Sequence, residues 1–236
     1  MKALETEALS YRYGDGTSAL CDVTFFVSPG EKVGVIGPNG AGKSTLLLHF
    51  NGLLPETLPE NANVHLFGTP VSTANLKEIR SRVGMIFQDP DDQLFCPTVR
   101  EDVAFGPGMA GLKGDALDAA VDRAMSDAGV TVDGGRNPHR LSKGEKRRVC
   151  IAGVLACSPK ILVLDEPTSD LDPRGRRELK RLLCGMDLTM IISSHDLGFI
   201  SDVCQRLVVM DGGKLVADGP TEEILGDSEL LRSHGL

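Results

Sequence analysis

The chain has 236 residues, of which 41% are hydrophobic, 25% charged and only 4% aromatic, and it carries a formal net charge of −8. That length holds one sizeable α/β domain, with room for a helical lobe but not for two independent cores. The composition excludes a disordered chain, and the acidic balance offers no footprint for nucleic acid, whose binders cluster Lys and Arg. The longest apolar stretches, Val149 to Cys157 and Ile161 to Leu164, fall far short of the roughly 20 residues of a spanning helix.

From Met1 to Glu7 there is no basic and then apolar run of a secretory signal, so the chain is expected in the cytosol. Leu9 to Tyr13 and Thr24 to Val27 read as strands. Lys32 to Ile36 is a short apolar run before a glycine-rich stretch and a helix-like segment, Leu46 to Phe50. Val64 to Phe67 reads as a third flanking strand and Val83 to Phe87 as a buried one. From Thr98 to Arg140 the pattern is helical and glycine-punctuated, with Asp115 to Ala128 its clearest amphipathic stretch, so a helical subdomain is expected there. Ile161 to Leu164 and Thr189 to Ser193 are again buried strands. Arg206 to Met210 and Lys214 to Ala217 follow, joined by the hairpin turn Asp211-Gly212-Gly213. Short buried runs alternating with helices imply a parallel sheet, and the outer five strands are expected to form antiparallel flanks around it. There is no fixed-period repeat and no coiled-coil heptad. Six cysteines without a CxxC pair read as reduced thiols.

Gly37-Pro38-Asn39-Gly40-Ala41-Gly42-Lys43-Ser44-Thr45 matches the phosphate-binding P-loop pattern, directly after a strand and directly before a helix. Glycines let backbone amides converge on phosphate oxygens, and the helix amino terminus adds positive potential. Lys43 reaches the β and γ phosphates, and Ser44 is a Mg²⁺ ligand. Ile161 to Leu164 then delivers Asp165 to the Mg²⁺ shell and Glu166 as candidate general base. Hydrolysis of a γ phosphate needs a positioned water and a carboxylate to orient or deprotonate it. Four apolar residues before Asp-Glu are a weak signal alone and a strong one downstream of a P-loop.

Leu141-Ser142-Lys143-Gly144-Glu145-Lys146-Arg147-Arg148-Val149 narrows the class, because it resembles the signature sequence of ATP-binding cassette (ABC) proteins. In physical terms Ser142 and Gly144 offer a hydroxyl and an amide to a phosphate at a helix start. The resemblance covers nearly the whole chain. It implies a P-loop NTPase fold of class α/β over residues 1–236: a parallel sheet, flanking antiparallel strands, and a helical subdomain over about 98–158. It also implies an adenine-stacking role for Tyr13. Gln88 becomes the glutamine that senses Mg²⁺ and the γ phosphate, and Ser169-Asp170-Leu171-Asp172 the D-loop. His195 becomes the histidine that contacts the γ phosphate. Asp172-Pro173 reads independently as a helix N-cap and first residue. The family's usual signature has Gly where this chain has Lys143, and often Gln where it has Glu145. A positive φ at Lys143 would carry a conformational cost.

In such proteins each ATP is clamped between one subunit's P-loop and the other's signature, so a partner ATPase subunit is implied, most simply a second copy of this chain. Gln88-Asp89-Pro90-Asp91-Asp92-Gln93-Leu94-Phe95, continued by Glu101 to Pro107, resembles energy-coupling factor transporters, closest to the CbiO subfamily of cobalt/nickel ATPases. The resemblance implies a membrane scaffold subunit and a substrate-binding membrane subunit as partners, a peripheral place on the cytoplasmic face of the cell membrane, and no nucleic acid. The chain also stops soon after Ala217 to Thr221, which favours a dedicated importer: cobalt or nickel first, biotin or another vitamin second. A soluble cassette ATPase outside transport is the alternative class. Asp91 and Asp92 are expected to receive arginines of the scaffold; the other reading is a solvated turn. The five histidines and six cysteines form no metal-ligand cluster in sequence.

Overall fold

The computed structural model describes residues 1–58 and 62–236. Two long strands open the chain, β1 (Leu4–Arg12) and β2 (Ser18–Val27), paired antiparallel. The wholly buried β3 (Lys32–Ile36) leads through the glycine-rich loop into α1 (Lys43–Phe50). Two short strands, β4 (Val64–Leu66) and β5 (Thr69–Pro70), extend the first sheet, which runs β2-β1-β4-β5 and is antiparallel throughout. After α2 (Leu76–Arg82) and β6 (Val83–Ile86) come three helices, α3 (Val99–Met109), α4 (Gly114–Asp127) and α5 (Lys143–Leu155). These three pack on one another and lie, in sequence, between β6 and its sheet neighbour β7 (Ile161–Asp165). The remainder alternates α6 (Pro173–Gly185), β8 (Thr189–Ser193) and α7 (Leu197–Val203). It ends in the hairpin β9 (Arg206–Asp211) and β10 (Lys214–Pro220), then α8 (Thr221–Gly226) and α9 (Ser228–Ser233).

The second sheet runs β10-β9-β3-β8-β7-β6. Its five strands from β9 to β6 are parallel, and β10 alone is antiparallel, along one edge. β7 shows why these strands are apolar at every position. Leu162 and Leu164 enter a core shared with the three-helix lobe, while Ile161 and Val163 enter the core beneath the antiparallel sheet. A strand covered on both faces has no solvent side to reward alternation, and each such residue contributes about 1.5–3 kcal/mol of burial.

One expectation is corrected here. Arg206 to Met210 was expected in an antiparallel flank, but β9 pairs parallel with β3 and antiparallel only with β10, so it is an inner strand of the parallel sheet. The hairpin turn dictates the antiparallel pairing with β10 and says nothing of the other edge. Leu207, Val208, Val209 and Met210 are all buried, an unbroken apolar run of the kind that marks an inner parallel strand. The three other early flanking strands do lie in an antiparallel sheet, separate from the parallel one.

Candidate active site

The glycine-rich loop owes its shape to three glycines with positive φ: Gly37 (153°), Gly40 (79°) and Gly42 (98°). At Gly42 a Cβ would lie 2.5 Å from the Ala19 carbonyl oxygen, and at Gly37 one would lie 2.1 Å from that of Met210. Only glycine lets the chain run this close to the neighbouring backbone. Gly42 is the N-cap of α1 and provides no side-chain cap, so the first amides of the helix are left to an anion. Lys43 is buried, with Nζ donating to the carbonyls of Gly37 (2.7 Å) and Pro38 (3.1 Å), which lays the cation across the loop.

β7 carries Asp165 and Glu166 to the same end of the sheet, where Ser193 at the end of β8 joins them. The Ser193 hydroxyl donates to Asp165 Oδ1 and accepts from the Glu166 amide at 2.9 Å. Glu166 sits in the left-handed region at φ 42°, a strained setting for a residue with a side chain. Its Oε2 accepts from the His195 amide (3.2 Å) and from Nδ1 of the same residue (2.8 Å). An acid oriented by a histidine is an arrangement that can place and activate a water.

A cleft of about 830 Å³ brings Tyr13, the P-loop, Gln88, Glu166 and His195 together. Tyr13 is 37% exposed. Its hydroxyl is bonded to Thr45 Oγ1 at 2.9 Å, and its ring stands edge-on to Tyr11 at 4.9 Å. It is therefore a wall of the cleft and not a core tyrosine. Sequence reasoning missed Thr17, Ser18 and Ala19, which line the same cleft. They carry no motif and arrive only because β2 pairs with β1. Ser193 was missed as well, since a serine ending a buried strand has no distinguishing pattern.

Ser142 and Gly144 lie elsewhere, lining a second cleft of about 500 Å³ with Asp170 and Asp172. Ser142 is the N-cap of α5 in a full capping box: it accepts from the Glu145 amide, and Glu145 Oε2 accepts from the Ser142 amide at 2.8 Å. The hydrogen bonds from the Ser142 amide and hydroxyl hold the Glu145 carboxyl below the usual range. Glu145 in place of the commoner Gln therefore completes the cap as a charged acceptor. Lys143 is the first helical residue and is not among the positive-φ positions, so its replacement of Gly carries no backbone strain. Its Nζ donates to Asp89 at 3.2 Å. Asp172 caps α6 by accepting from the Gly175 amide, with Pro173 first in the helix.

The donor set fits a metal that arrives with phosphates. Among the described residues no group of three or more His, Cys, Asp or Glu could hold a metal ion, while Ser44 and Gln88 line the cleft and the buried Asp165 carboxylate is fixed by Ser193. A few oxygen donors suit Mg²⁺, which completes its shell with phosphate and water.

This fold and these clefts define a P-loop ATPase of the cassette type. The chain belongs to the ABC transporter family, whose profile matches residues 20–169. A putative ABC transporter ATP-binding protein of Streptomyces coelicolor is 50% identical over 234 residues, covering 99% of this chain and 89% of that protein. The energy-coupling factor transporter ATP-binding protein EcfA of Methanothermobacter thermautotrophicus is 48% identical over 238 residues, covering 99% of this chain and 76% of that one. Among solved structures, CbiO1 from Clostridium perfringens, described as part of the ABC transporter complex cbiONQ, superposes with a TM-score of 0.86 at 37% identity. That match covers 98% of this chain and 94% of the other. The chain is thus an ABC ATPase of the energy-coupling factor type.

Proposed function

We propose that this ATPase drives a cobalt or nickel importer as a dimer in which each ATP lies between two chains. The observation that carries the dimer is the separation of the two clefts: the P-loop, Glu166 and His195 line one, while Ser142 and Gly144 line the other. A phosphate held by the P-loop of one chain meets a signature serine only if a second chain supplies it. In this reading Tyr13 stacks on adenine, an interaction of about 1–3 kcal/mol. The amides of Asn39, Gly40, Ala41, Gly42, Lys43, Ser44 and Thr45 wrap the phosphates, and Lys43 leaves its carbonyl partners for them. Ser44, Asp165 and Gln88 hold Mg²⁺, which when bound neutralises charge on the phosphate oxygens. Glu166 orients and deprotonates the attacking water, and His195 holds the carboxylate while facing the γ phosphate. Ser142 and Gly144 donate to the partner's nucleotide.

The importer reading is supported by the likeness to EcfA proteins and to CbiO1, and the choice of metal by the sequence from Gln88 to Pro107. Among the described residues no helix is long and apolar enough to cross a membrane. In this reading the chain attaches to the cytoplasmic face through a membrane scaffold, and a separate substrate-binding membrane subunit selects the solute. The test is co-expression with its scaffold and substrate-binding partners, followed by co-purification and uptake of radioactive cobalt, nickel and biotin into cells. ATP-dependent uptake of cobalt or nickel is expected; uptake of biotin alone would overturn the choice of solute, and failure to co-purify would overturn the importer.

A further inference from the structure

Three side chains tie the start of α5 to the segment that follows β6. Arg147 donates through one terminal nitrogen to the Phe87 carbonyl and through the other to that of Gln88. Lys146 pairs with Asp91, and Lys143 with Asp89. The lysine pairs involve half-exposed carboxylates, a setting in which ion pairs contribute little. Arg147 is different, for it is only 1% exposed, its Nε has no hydrogen-bond partner, and among the described residues no carboxylate pairs with it. Burial accordingly pulls its pKa down. A leucine or methionine would fill this space without desolvating a charge, but would leave two backbone carbonyls without a donor. The position is therefore costly as packing and specific as a tie.

The two ends of the tie belong to different clefts. Gln88 lines the cleft of the P-loop, whereas Ser142, the N-cap of the helix that carries Arg147, lines the other. We propose that Arg147 is a positioning residue that makes Gln88 and the Ser142–Gly144 loop one moving unit. The nucleotide in a chain's own cleft then sets the orientation of the signature loop offered to its partner's nucleotide. This rests on the shared-site reading above.

Amide hydrogen exchange of the full chain, with and without Mg·ATP, tests the tie directly. It is measured at concentrations where light scattering shows a monomer, in chains that also carry Glu166→Gln to prevent turnover. With Arg147 present, Mg·ATP is expected to slow exchange in both the P-loop and residues 143–149. With Arg147→Lys or Arg147→Met the P-loop protection is expected to remain while that of 143–149 falls by about fivefold or more. In steady-state assays of chains with Glu166 intact, kcat is expected to fall by about tenfold in Arg147→Met with KM within about threefold, and Arg147→Lys to recover part of it. Should Arg147→Met fail to fold, Arg147→Lys decides. Unchanged protection of 143–149 in a folded variant, or a rise in KM matching the fall in kcat, would overturn the proposal. A parent chain with P-loop protection but none at 143–149 would overturn this inference alone, and one with neither would overturn the nucleotide reading beneath it.

Discussion

Glu166 Oε2 receives two hydrogen bonds from His195, one from its backbone amide at 3.2 Å and one involving Nδ1 at 2.8 Å. The carboxylate is largely buried, whereas the histidine side chain is 65% exposed, so an acid at the end of a core strand is steered by a residue reaching in from the surface. When Nδ1 donates, Nε2 of the neutral ring remains free to face the cleft. The pair thus links the candidate base to the opening through which nucleotide enters.

Replacing Glu166 by Gln keeps shape and removes the base. Phosphate release should fall by about 10²- to 10⁴-fold, with ATP binding retained and an ATP-bound dimer accumulating on size exclusion. His195→Ala should lower the rate less, by about ten- to a hundredfold, because it loosens the acid without deleting it. Near-normal turnover in Glu166→Gln would remove this residue from the role.

Complementation tests the shared site. Lys43→Ala should weaken ATP binding by about 1.5–3 kcal/mol through loss of a charged hydrogen bond. Ser142→Arg should block closure while leaving binding intact. A heterodimer of the two has one doubly damaged site and one undamaged site, so an equal mixture should regain about a quarter of wild-type hydrolysis if pairing is random. No recovery in demonstrated heterodimers would count against trans sites.

Two loop glycines give an internal comparison. Gly42→Ala adds a Cβ 2.5 Å from the Ala19 carbonyl oxygen at φ 98°, while Gly40→Ala meets nothing within 4 Å at φ 79°. Gly42→Ala should lower stability by more than the roughly 1–3 kcal/mol of strain alone and abolish ATP binding, and Gly40→Ala should show the strain only. Equal melting temperatures for the two would refute a loop shaped by the approach to β2.

The Glu145 carboxyl is held below its ordinary range by hydrogen bonds from the Ser142 amide and hydroxyl. A depressed folded-state pKa stabilises above the unfolded value, and the contribution is lost as pH falls through the folded one. Wild type should therefore lose stability relative to Glu145→Gln as pH drops from 6 toward 3, the window set by an ordinary carboxyl of about 4.3 and a lower folded value. Parallel melting curves for the two proteins across that range would refute the charged cap.

Asp91 is already paired with Lys146 at 2.5 Å, whereas Asp92 has no ion-pair partner among the described residues. Of the two acids expected at the scaffold interface, Asp92 is the one free to meet an arginine. Asp92→Lys should impair scaffold association by about 2–5 kcal/mol while leaving ATP binding unchanged. Asp91→Lys should also disturb α5, visible as a lower melting temperature. Normal solute uptake by Asp92→Lys at equal expression would leave this acid a surface residue.

What the sequence determined by itself is local. The P-loop, the Asp165-Glu166 step at the end of β7 and the Asp172-Pro173 helix start each depend on a few consecutive residues whose spacing and backbone freedom carry the chemistry. The buried parallel strands were legible too, because a run covered on both faces has no polar alternation. Tertiary structure decided what depends on distant partners. β9 became an inner strand, since sheet order follows how whole layers pack and a hairpin turn governs only one edge. Ser193 came to bridge Asp165 and Glu166 because β8 lies beside β7, and Arg147 came to hold the carbonyls of Phe87 and Gln88 across 60 and 59 positions of chain. The separation of Ser142 from the P-loop is of the same kind: both motifs are written plainly in the chain, but the distance between them is set by the helical lobe that stands between β6 and β7.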